Sequence, residues 1–386
     1  MKRLVIIILA LTLQPEFLFA IQDLFSKSEL KGYIKDLQSA SFTNNADSLY
    51  TWNLVHNRIN FKWNFTNSLL ARVEVRSRLY YGEQIKLIQG FGDYIDTDEG
   101  YFKLSKLWVN KKAMVLHSTV DRLMMSYTHL KFTLTLGRQR INWGINTIWN
   151  PNDLFNASNF LDFDYEERPG TDGLRMQYFP NSNTSVEAGF KLGENSDQTV
   201  LAMLFKTNKW KYDLQLLTGV YYTDWVIGGG WAGNINDAGF KGEFSYFIPK
   251  NKSPEENNLL STSLTLDYSF NNNWYASLST LYQNRAYISE SSLIMAQPRR
   301  LNAKFLMPYQ YSFYASANKQ FSPLFTGNLG IVLSPKRSST IFLPGLSFNI
   351  SESLDMDLTA QCMFENVLHD YQTTGNTIYF RIKYSF

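Results

Sequence analysis

Apolar and polar residues alternate along much of the chain, and the alternation is sharpest from Val55 to Leu79. Over 55–65 most odd positions are apolar, and the even positions are His, Arg, Asn, Lys and Asn. After a turn at 66–68, the return stretch again places apolar residues on one side and Arg or Glu on the other. Because the side chains of a β-strand point alternately to opposite faces, this stretch predicts a hairpin with one apolar and one charged face.

The same period of two residues recurs later in the chain, and short turns alternate there with longer connections. The later segments are 186–192, 212–220, 264–270 and 354–364. Barrels of bacterial outer membranes have this pattern, with short turns at one end and long loops at the other. We therefore predict an all-β fold, a transmembrane antiparallel up-and-down β-barrel of about 18 strands, with 16 strands as the alternative.

The first 20 residues have the pattern of a secretory signal peptide. The chain begins with a methionine and two basic residues, continues with an apolar run and reaches the small residue Ala20. We expect residues 1–20 to be removed on export to the periplasm, which leaves 21–386 as a barrel in the bacterial outer membrane. No later apolar run approaches the roughly 20 residues that a transmembrane helix needs.

Composition supports this interpretation and narrows the chemistry. Phe, Tyr and Trp make up 16% of the residues, which suits a barrel whose aromatic side chains lie at both membrane interfaces. The one cysteine, Cys362, excludes an intramolecular disulfide, and we expect it to face lipid. A net charge of +3 gives no reason to expect a nucleic acid partner. We predict no metal and no cofactor, and we interpret the acids within 93–99 as a solvated loop rather than a Ca²⁺ site.

A long loop rich in aromatic residues follows the predicted strand 132–142 and ends where a strand resumes at Gly173. Long loops in strand-dominated chains are commonly functional, and this one is too aromatic to suit disorder. We expect it to fold into or over the barrel mouth. Its aromatic residues either form a stacking track for sugars or pack the loop onto the barrel, and we favour packing. The predicted constriction-loop residues are Trp143, Trp149, Asp153, Asp162, Asp164, Glu166, Glu167 and Arg168.

Basic residues concentrate on the strand faces that we assign to the interior. A basic wall opposite an acidic loop would form a constriction that selects small polar solutes. The same charges could instead form a lattice of salt bridges that only fastens the loop, and both interpretations stay open here. The predicted lumen and constriction residues are Arg58, Lys62, Arg72, Glu74, Arg76, Arg78, Arg138, Arg140, Arg175, Arg381 and Lys383.

Signatures of catalysis are scarce. The four histidines are scattered, and the sequence contains neither His-Glu-x-x-His nor Gly-x-Ser-x-Gly. His117 and Ser118 are adjacent on a predicted strand and therefore point to opposite faces. We predict that the protein is not an enzyme.

Two motifs resemble a known class of proteins. Gly-Arg-Gln-Arg-Ile-Asn-Trp-Gly at 137–144, followed by Trp-Asn-Pro-Asn-Asp at 149–153, resembles the strand-and-loop signature of porin-like outer-membrane barrels. That class includes a large, mostly uncharacterised group and, more distantly, the alginate-export barrels. The last strand, ending in Tyr384 and Phe386, resembles the signal that the barrel-assembly machinery recognises. The resemblance implies a monomeric pore of 16 to 18 strands with a basic lumen for an anionic solute. After Trp143 the chain departs from the alginate-export pattern, so that substrate does not carry over.

These expectations combine into one functional hypothesis and one alternative. The hypothesis is an outer-membrane channel for small anionic or polar solutes, with an Arg-lined lumen and the constriction loop at 143–170. Its partners would be outer-membrane lipid, the barrel-assembly machinery and the solute. The alternative is a plugged barrel that serves as a structural or assembly partner in a lipoprotein or surface-polymer complex.

Overall fold

A computed structural model describes residues 27–42, 49–96, 98, 100–157, 161, 168, 170–251, 257–285, 302–367 and 370–386. The expected signal peptide lies outside the described residues. Within them, 19 strands form one antiparallel sheet. The strands are β1 (Ser28–Phe42), β2 (Leu49–Asn64), β3 (Leu69–Gly82), β4 (Ser105–Lys111), β5 (Met114–His129), β6 (Phe132–Gln139), β7 (Thr171–Asn181), β8 (Thr184–Lys191), β9 (Val200–Lys209), β10 (Tyr212–Tyr221), β11 (Asp224–Ile235), β12 (Ala238–Pro249), β13 (Leu259–Ser269), β14 (Trp274–Gln283), β15 (Tyr311–Ser322), β16 (Phe325–Ser334), β17 (Ser339–Ser351), β18 (Leu354–Val367) and β19 (Asp370–Ser385).

The sheet closes on itself, because β1 pairs with both β2 and β19. Strand β3 pairs directly with β5, and β4 lies on the opposite edge of β5, beyond the end of β6. The short β4 is therefore an addition from the connection between β3 and β5, and the wall has 18 strands (19 − 1). This confirms the predicted barrel and its count of 18 rather than 16.

The two faces of the wall differ as the alternation predicts. On β2 the inward residues Leu54, His56 and Arg58 are buried, whereas the outward Ile59 is exposed. Large apolar side chains, such as Leu216 and Leu278, are exposed around the outside of the barrel. Exposed large apolar side chains thus lie on the outward face, whereas charged side chains such as Arg58 lie on the inward face, as in a barrel between lipid and water.

Turns of two to four residues join the strands at one end of the barrel, which we call the turn end, and the long connections, such as those after β3, β6 and β14, lie at the opposite loop end. Two short helices, α1 (Glu83–Leu87) and α2 (Phe91–Ile95), belong to the connection that follows β3. They pack inward onto Leu37, Leu54 and Val115. No helix in the described part of the chain is both long enough and apolar enough to cross a bilayer.

The first and last strands of the barrel, β1 and β19, pair along a line that we call the seam. Gly32 and Phe386 exchange two backbone hydrogen bonds of 2.9 Å. A Cβ atom at Gly32 would lie 2.7 Å from the Phe386 ring and would also overlap the Arg58 carbonyl oxygen. The seam therefore requires a residue without a side chain at position 32.

We predict that Gly32→Ala destabilises the closed barrel by about 1–3 kcal/mol, the usual cost of overpacking. The backbone oxygen of Arg58 cannot rotate away as a side chain can. The measurement is the urea midpoint of the refolded barrel, followed by its heat-modifiable mobility in SDS gels.

Gly327→Ala is the matched control, because the nearest contacts of a Cβ atom there are side-chain atoms, Phe321 at 3.0 Å and Leu346 at 3.7 Å. Equal midpoints for the two variants would contradict this account of the seam.

Candidate functional site: the barrel interior

The chain crosses the barrel interior after β6. Trp143 is fully buried and its ring packs edge-on against Phe155, with the centroids 4.9 Å apart. Both rings join an apolar cluster with inward-facing residues of the wall, including Leu204 and Leu217. The first half of the loop is thereby held on the β9–β13 side of the barrel.

A second apolar cluster holds the next part of the loop. Trp149 packs with Leu281 of β14, Val332 of β16 and Ile341 of β17. Met307, from the connection between β14 and β15, belongs to the same cluster. Trp143 and Trp149 are buried, which supports the packing interpretation of these aromatic residues rather than a stacking track.

Glu243 on β12 is the polar anchor of the loop. Its fully buried carboxylate accepts backbone hydrogen bonds from Ile145, from Asn146 at 2.6 Å and from Asn152 at 3.1 Å. Buried carboxylates need such donors, and buried backbone N–H groups need such acceptors. One side chain therefore fixes two separate turns of the loop.

The glycine-rich stretch of β11 makes room for this docking. Asn152 donates to the Gly229 carbonyl at 2.8 Å. A Cβ atom at Gly228 would lie 2.7 Å from the Asn152 Oδ1 atom, and one at Gly230 would lie 3.0 Å from the Ile145 side chain. These glycines mark close packing of a loop against the wall, as expected for glycine within a strand.

Glu187 on β8 forms a second anchor. The Nε and Nη2 atoms of Arg175 donate to its carboxylate at 2.8 and 2.7 Å, and the Gln177 amide donates to it at 2.9 Å. The indole N–H of Trp143 donates to the same carboxylate. The predicted lumen residue Arg175 is thus engaged in holding the carboxylate that orients Trp143.

Asp153 does not face the basic wall that its place in the sequence suggested. It is fully buried and pairs with Arg168, which also donates to Asn142 at 3.0 Å. Burial raises the pKa of Asp153 above its ordinary value, against the opposing charges of Arg168 and Arg140. Asp153 and Arg168 therefore close the loop on itself. The other predicted acids, Asp162, Asp164, Glu166 and Glu167, lie outside the described residues.

On the opposite wall, four side chains of β2, β3 and β5 form a buried ion-pair network. Arg58 donates to Asp121 at 2.5 Å and to Glu74 at 2.6 Å, and Arg76 donates to Asp121 at 3.0 Å. A register shift opposite Glu74 lets both Asp121 and Arg122 turn inward. The carboxylates that balance this part of the basic wall thus come from the wall itself.

The remaining predicted basic residues fall into two groups. Near the turn end, the Arg72 side chain is 40% exposed and lies 3.6 Å from Glu74, and Lys62 is half-buried. At the closing strand, Arg381 pairs with Asp357 at 2.6 Å, and the Lys383 ammonium lies 4.9 Å from the Tyr33 ring centroid. Arg78 lies over the Tyr80 ring.

Arg138 and Arg140 occupy different surroundings. The buried Arg138 guanidinium binds Asp172 at 2.7 Å, Asp98 at 2.9 Å and the Phe102 carbonyl at 2.5 Å. It thereby ties the connection after β3 to the wall, and it is not part of an open constriction. Arg140, where the loop begins, is exposed.

The acids after β3 are bound by protein donors. Asp98 accepts backbone hydrogen bonds from Gly100 and Leu104 in addition to Arg138, and Asp96 accepts from Ser105. Within the described ranges, no group of three or more His, Cys, Asp or Glu side chains could hold a metal ion.

Sequence reasoning missed Asp121, Glu187 and Glu243. Glu187 and Glu243 stand on the inward side of regular strands, so parity alone would have placed them in the interior. Alternation alone does not identify Asp121 as an inward residue, because the register shift at this point interrupts the alternation of inward and outward side chains along β5.

We predict that Glu243→Ala undocks the loop, because the buried N–H groups of Asn146 and Asn152 and the part-buried N–H of Ile145 lose their acceptor. Each buried group left without an acceptor costs about 1–3 kcal/mol. The measurement is hydrogen–deuterium exchange of peptides from 140–157 in detergent, which should rise sharply in the variant. Glu352→Ala, in the exposed turn after β17, is the control and should exchange like the parent. Unchanged protection in Glu243→Ala would show that the apolar clusters alone hold the loop.

The fold is that of the OprD/Occ porins. OccAB4 of Acinetobacter baumannii aligns with a TM-score of 0.60 and 10% identity over 93% of this chain and 98% of that one. OccK5 (OpdH) of Pseudomonas aeruginosa aligns with a TM-score of 0.59 and 9% identity over 94% and 99%. OprD of the same organism aligns with a TM-score of 0.56 and 9% identity over 94% and 95%.

At such identities the likeness is one of fold. No protein-family model matches the chain, and no curated protein sequence matches it. The expected similarity to alginate-export barrels gains no support from the three solved structures described above, which carry Occ and Opr names.

Proposed function

We propose that the protein is a porin-like channel of a Gram-negative outer membrane that admits small polar solutes and favours anions. The observation that carries the proposal is a closed 18-strand wall with an apolar outside and basic residues on its inward face. Such a wall can cross a bilayer because every barrel strand is paired and its outward side chains are mostly apolar.

The charge of one sector of the interior, on β2 and β3, supports a preference for anions. On β2 and β3 five cations share the inward face with Glu74, and Asp121 of β5 is the second acid of their network. An excess of one sign along a narrow, low-dielectric passage raises the local concentration of the opposite ion. The five cations are Arg58, Lys62, Arg72, Arg76 and Arg78.

Burial divides these cations into two roles. Arg58 and Arg76 are buried and paired, so they fasten the wall, as the salt-bridge interpretation requires. The Arg72 side chain is 40% exposed, and the half-buried Lys62 lies beside it across the β2–β3 pair. Only groups in contact with water act directly on a passing solute, so Arg72 and Lys62 are the residues to which we assign the anion preference.

The closing strand fits recognition by the barrel-assembly machinery. Phe386 lies against Gly32 at the seam, and Tyr384, two residues earlier, points outward. We assign to this pair the role of assembly signal, and outer-membrane lipid is then the surrounding partner.

The second candidate is a plugged barrel that acts as a structural partner of a lipoprotein or surface polymer. It is favoured by the apolar clusters that the loop and the two helices form inside the wall. Conductance separates the two candidates, because a plug that stays in place passes no ions.

The channel proposal predicts discrete conductance steps when the refolded barrel is added to a planar lipid bilayer. The basic interior should give an anion-over-cation permeability ratio above one, measured from the reversal potential in a KCl gradient. Cation preference would refute the anion assignment, and silence under all voltages would favour the plugged barrel.

A charge-reversal pair tests the two assigned residues. Lys62→Glu together with Arg72→Glu should lower the anion-over-cation permeability ratio roughly threefold or more, because four units of charge change in the passage. Lys209→Glu with Lys211→Glu makes the same charge change at an exposed turn and should leave the ratio close to its starting value. Equal effects of the two pairs would place the selective charges elsewhere.

A further inference from the structure

The chain from 101 to 112, which we call the flap, adds an exposed basic and aromatic surface to the loop end of the barrel. It contains β4, which pairs with β5 beyond the end of β6 and is not needed to close the wall. Between Gly100 and Val120 the sequence contains no Asp or Glu. The four lysines of the flap are all exposed, namely Lys103, Lys106, Lys111 and Lys112.

These lysines lack the acidic partners that the inward arginines have. In the part of the chain that the structure describes, none of the four forms an ion pair. The acids that precede the flap are engaged elsewhere, since Asp98 binds Arg138 and Asp96 accepts a hydrogen bond from Ser105. A group of cations without counter-charges creates a positive potential that attracts anions.

Strand register turns one side of the flap outward. On β5, His117 and Thr119 are buried inside the wall, so Ser118 between them faces outward. The exposed Trp108 indole donates to the Ser118 Oγ atom at 3.0 Å, and Lys106 stands opposite Ser118 in the register. Trp108 and Lys106 therefore lie on the outer face of the barrel.

Lys106 and Lys111 are the cations of this outward face. The Lys106 ammonium lies 4.3 Å from the centre of the Trp108 ring, which is a cation–π contact at an exposed site. Lys111 stands opposite Met114, which has the same parity on β5 as Ser118. The outward face of the flap thus combines one indole with two ammonium groups.

This face lies at the level where the hydrocarbon ends. A tilted strand crosses the hydrocarbon in about 9–11 residues, and β5 ends in the turn at Leu130, so the crossing ends near Val120. Ser118 and the Trp108 indole lie just beyond that point. Tryptophan is enriched at membrane interfaces, and lysine extends its charge from there into water. Because the long loops of such barrels are extracellular, this interface belongs to the outer leaflet.

A cavity of about 550 Å³ lies at the tip of the flap, between the β4–β5 turn and the helices α1 and α2. Lys111, Lys112 and Lys86 line it, together with Asn110 and Gly90. Lys111 belongs both to the cavity and to the outward face, so the two surfaces are continuous. Three ammonium groups around one recess suit a ligand that carries more than one negative charge.

We propose that the flap binds the phosphorylated headgroup of an anionic glycolipid of the outer leaflet. Lysines beside a membrane surface attract anionic headgroups, and the lysine ammonium binds phosphate as a compact point charge. The Trp108 ring lies where headgroup and acyl chains meet and offers them an apolar face. A phosphate that stays in solution has no use for an indole turned towards the lipid.

The inference rests on the membrane location in the proposed function, but not on conduction. A barrel that passes no ions can still bind the lipid, and a conducting barrel can fail to bind it. The two proposals therefore fail separately.

Titration with fluorescently labelled diphosphoryl lipid A tests the contact, with the refolded barrel in a nonionic detergent. The parent should bind saturably. Lys106→Gln with Lys111→Gln and Lys112→Gln should weaken binding roughly tenfold or more, because each lysine near an anionic surface contributes to its attraction. Heat-modifiable mobility in SDS gels shows that the variant still folds.

Lys131→Gln with Lys209→Gln and Lys211→Gln is the matched control. It removes three exposed lysines from the turn end, and one of them, Lys209, lies 4.6 Å from the centre of the Trp210 ring, much as Lys106 lies over Trp108. This variant should bind lipid A like the parent. Equal losses in the two triple variants would show unspecific attraction and overturn the proposal, and so would a parent that does not bind lipid A.

Two further measurements separate the lipid from a free anion. Trp108→Ala, which removes the indole and no charge, should weaken lipid A binding severalfold. Inorganic phosphate at millimolar concentration should displace only a small part of the bound lipid A. Full displacement by phosphate, or a Trp108→Ala variant that binds like the parent, would assign the flap to a soluble anion and overturn the lipid assignment.

Discussion

The closed hydrogen-bonded seam between β1 and β19 is the constraint on which the rest of the structure depends. An open sheet of this size would expose two rows of unpaired backbone groups, which neither lipid nor a neighbouring strand of the same chain could satisfy. In a closed barrel the diameter grows with the number of strands, and 18 strands enclose an interior wide enough to hold a folded segment. The buried loop, the ion pairs and the docking glycines all exist because that space exists.

The interior is built like the core of a soluble protein on one side and like a charged surface on the other. Trp143 and Trp149 pack with aliphatic residues of β9 to β17, whereas β2 and β3 present guanidinium groups to carboxylates. This division gives the loop an apolar seat on one side and leaves polar groups on the facing wall. Removing one member of the Arg58 network would leave an uncompensated buried charge, which usually costs about 3–5 kcal/mol.

The fold was predictable from the sequence because alternation is a local property. The hairpin at 55–79, the strand parity of Arg58 and Arg72, and the strand count all follow from residues close together in the chain. The site was less predictable because its contacts are distant. Glu243 binds residues about a hundred positions earlier, and no local pattern announces that pairing. Asp153 was misplaced for the same reason, since the loop supplies its own partner in Arg168.

The way in which the loop is anchored separates its path from its chemistry. Glu243 and the Gly229 carbonyl hold it through backbone amides and one asparagine. Most side chains of 140–157 are buried, so only the exposed ones, Arg140 and Thr147, are free to change without displacing the chain. Related sequences could therefore exchange the groups that meet the solute while inheriting the same route through the barrel. Solute preference would then change through point substitutions within the same barrel, without insertions or a new topology.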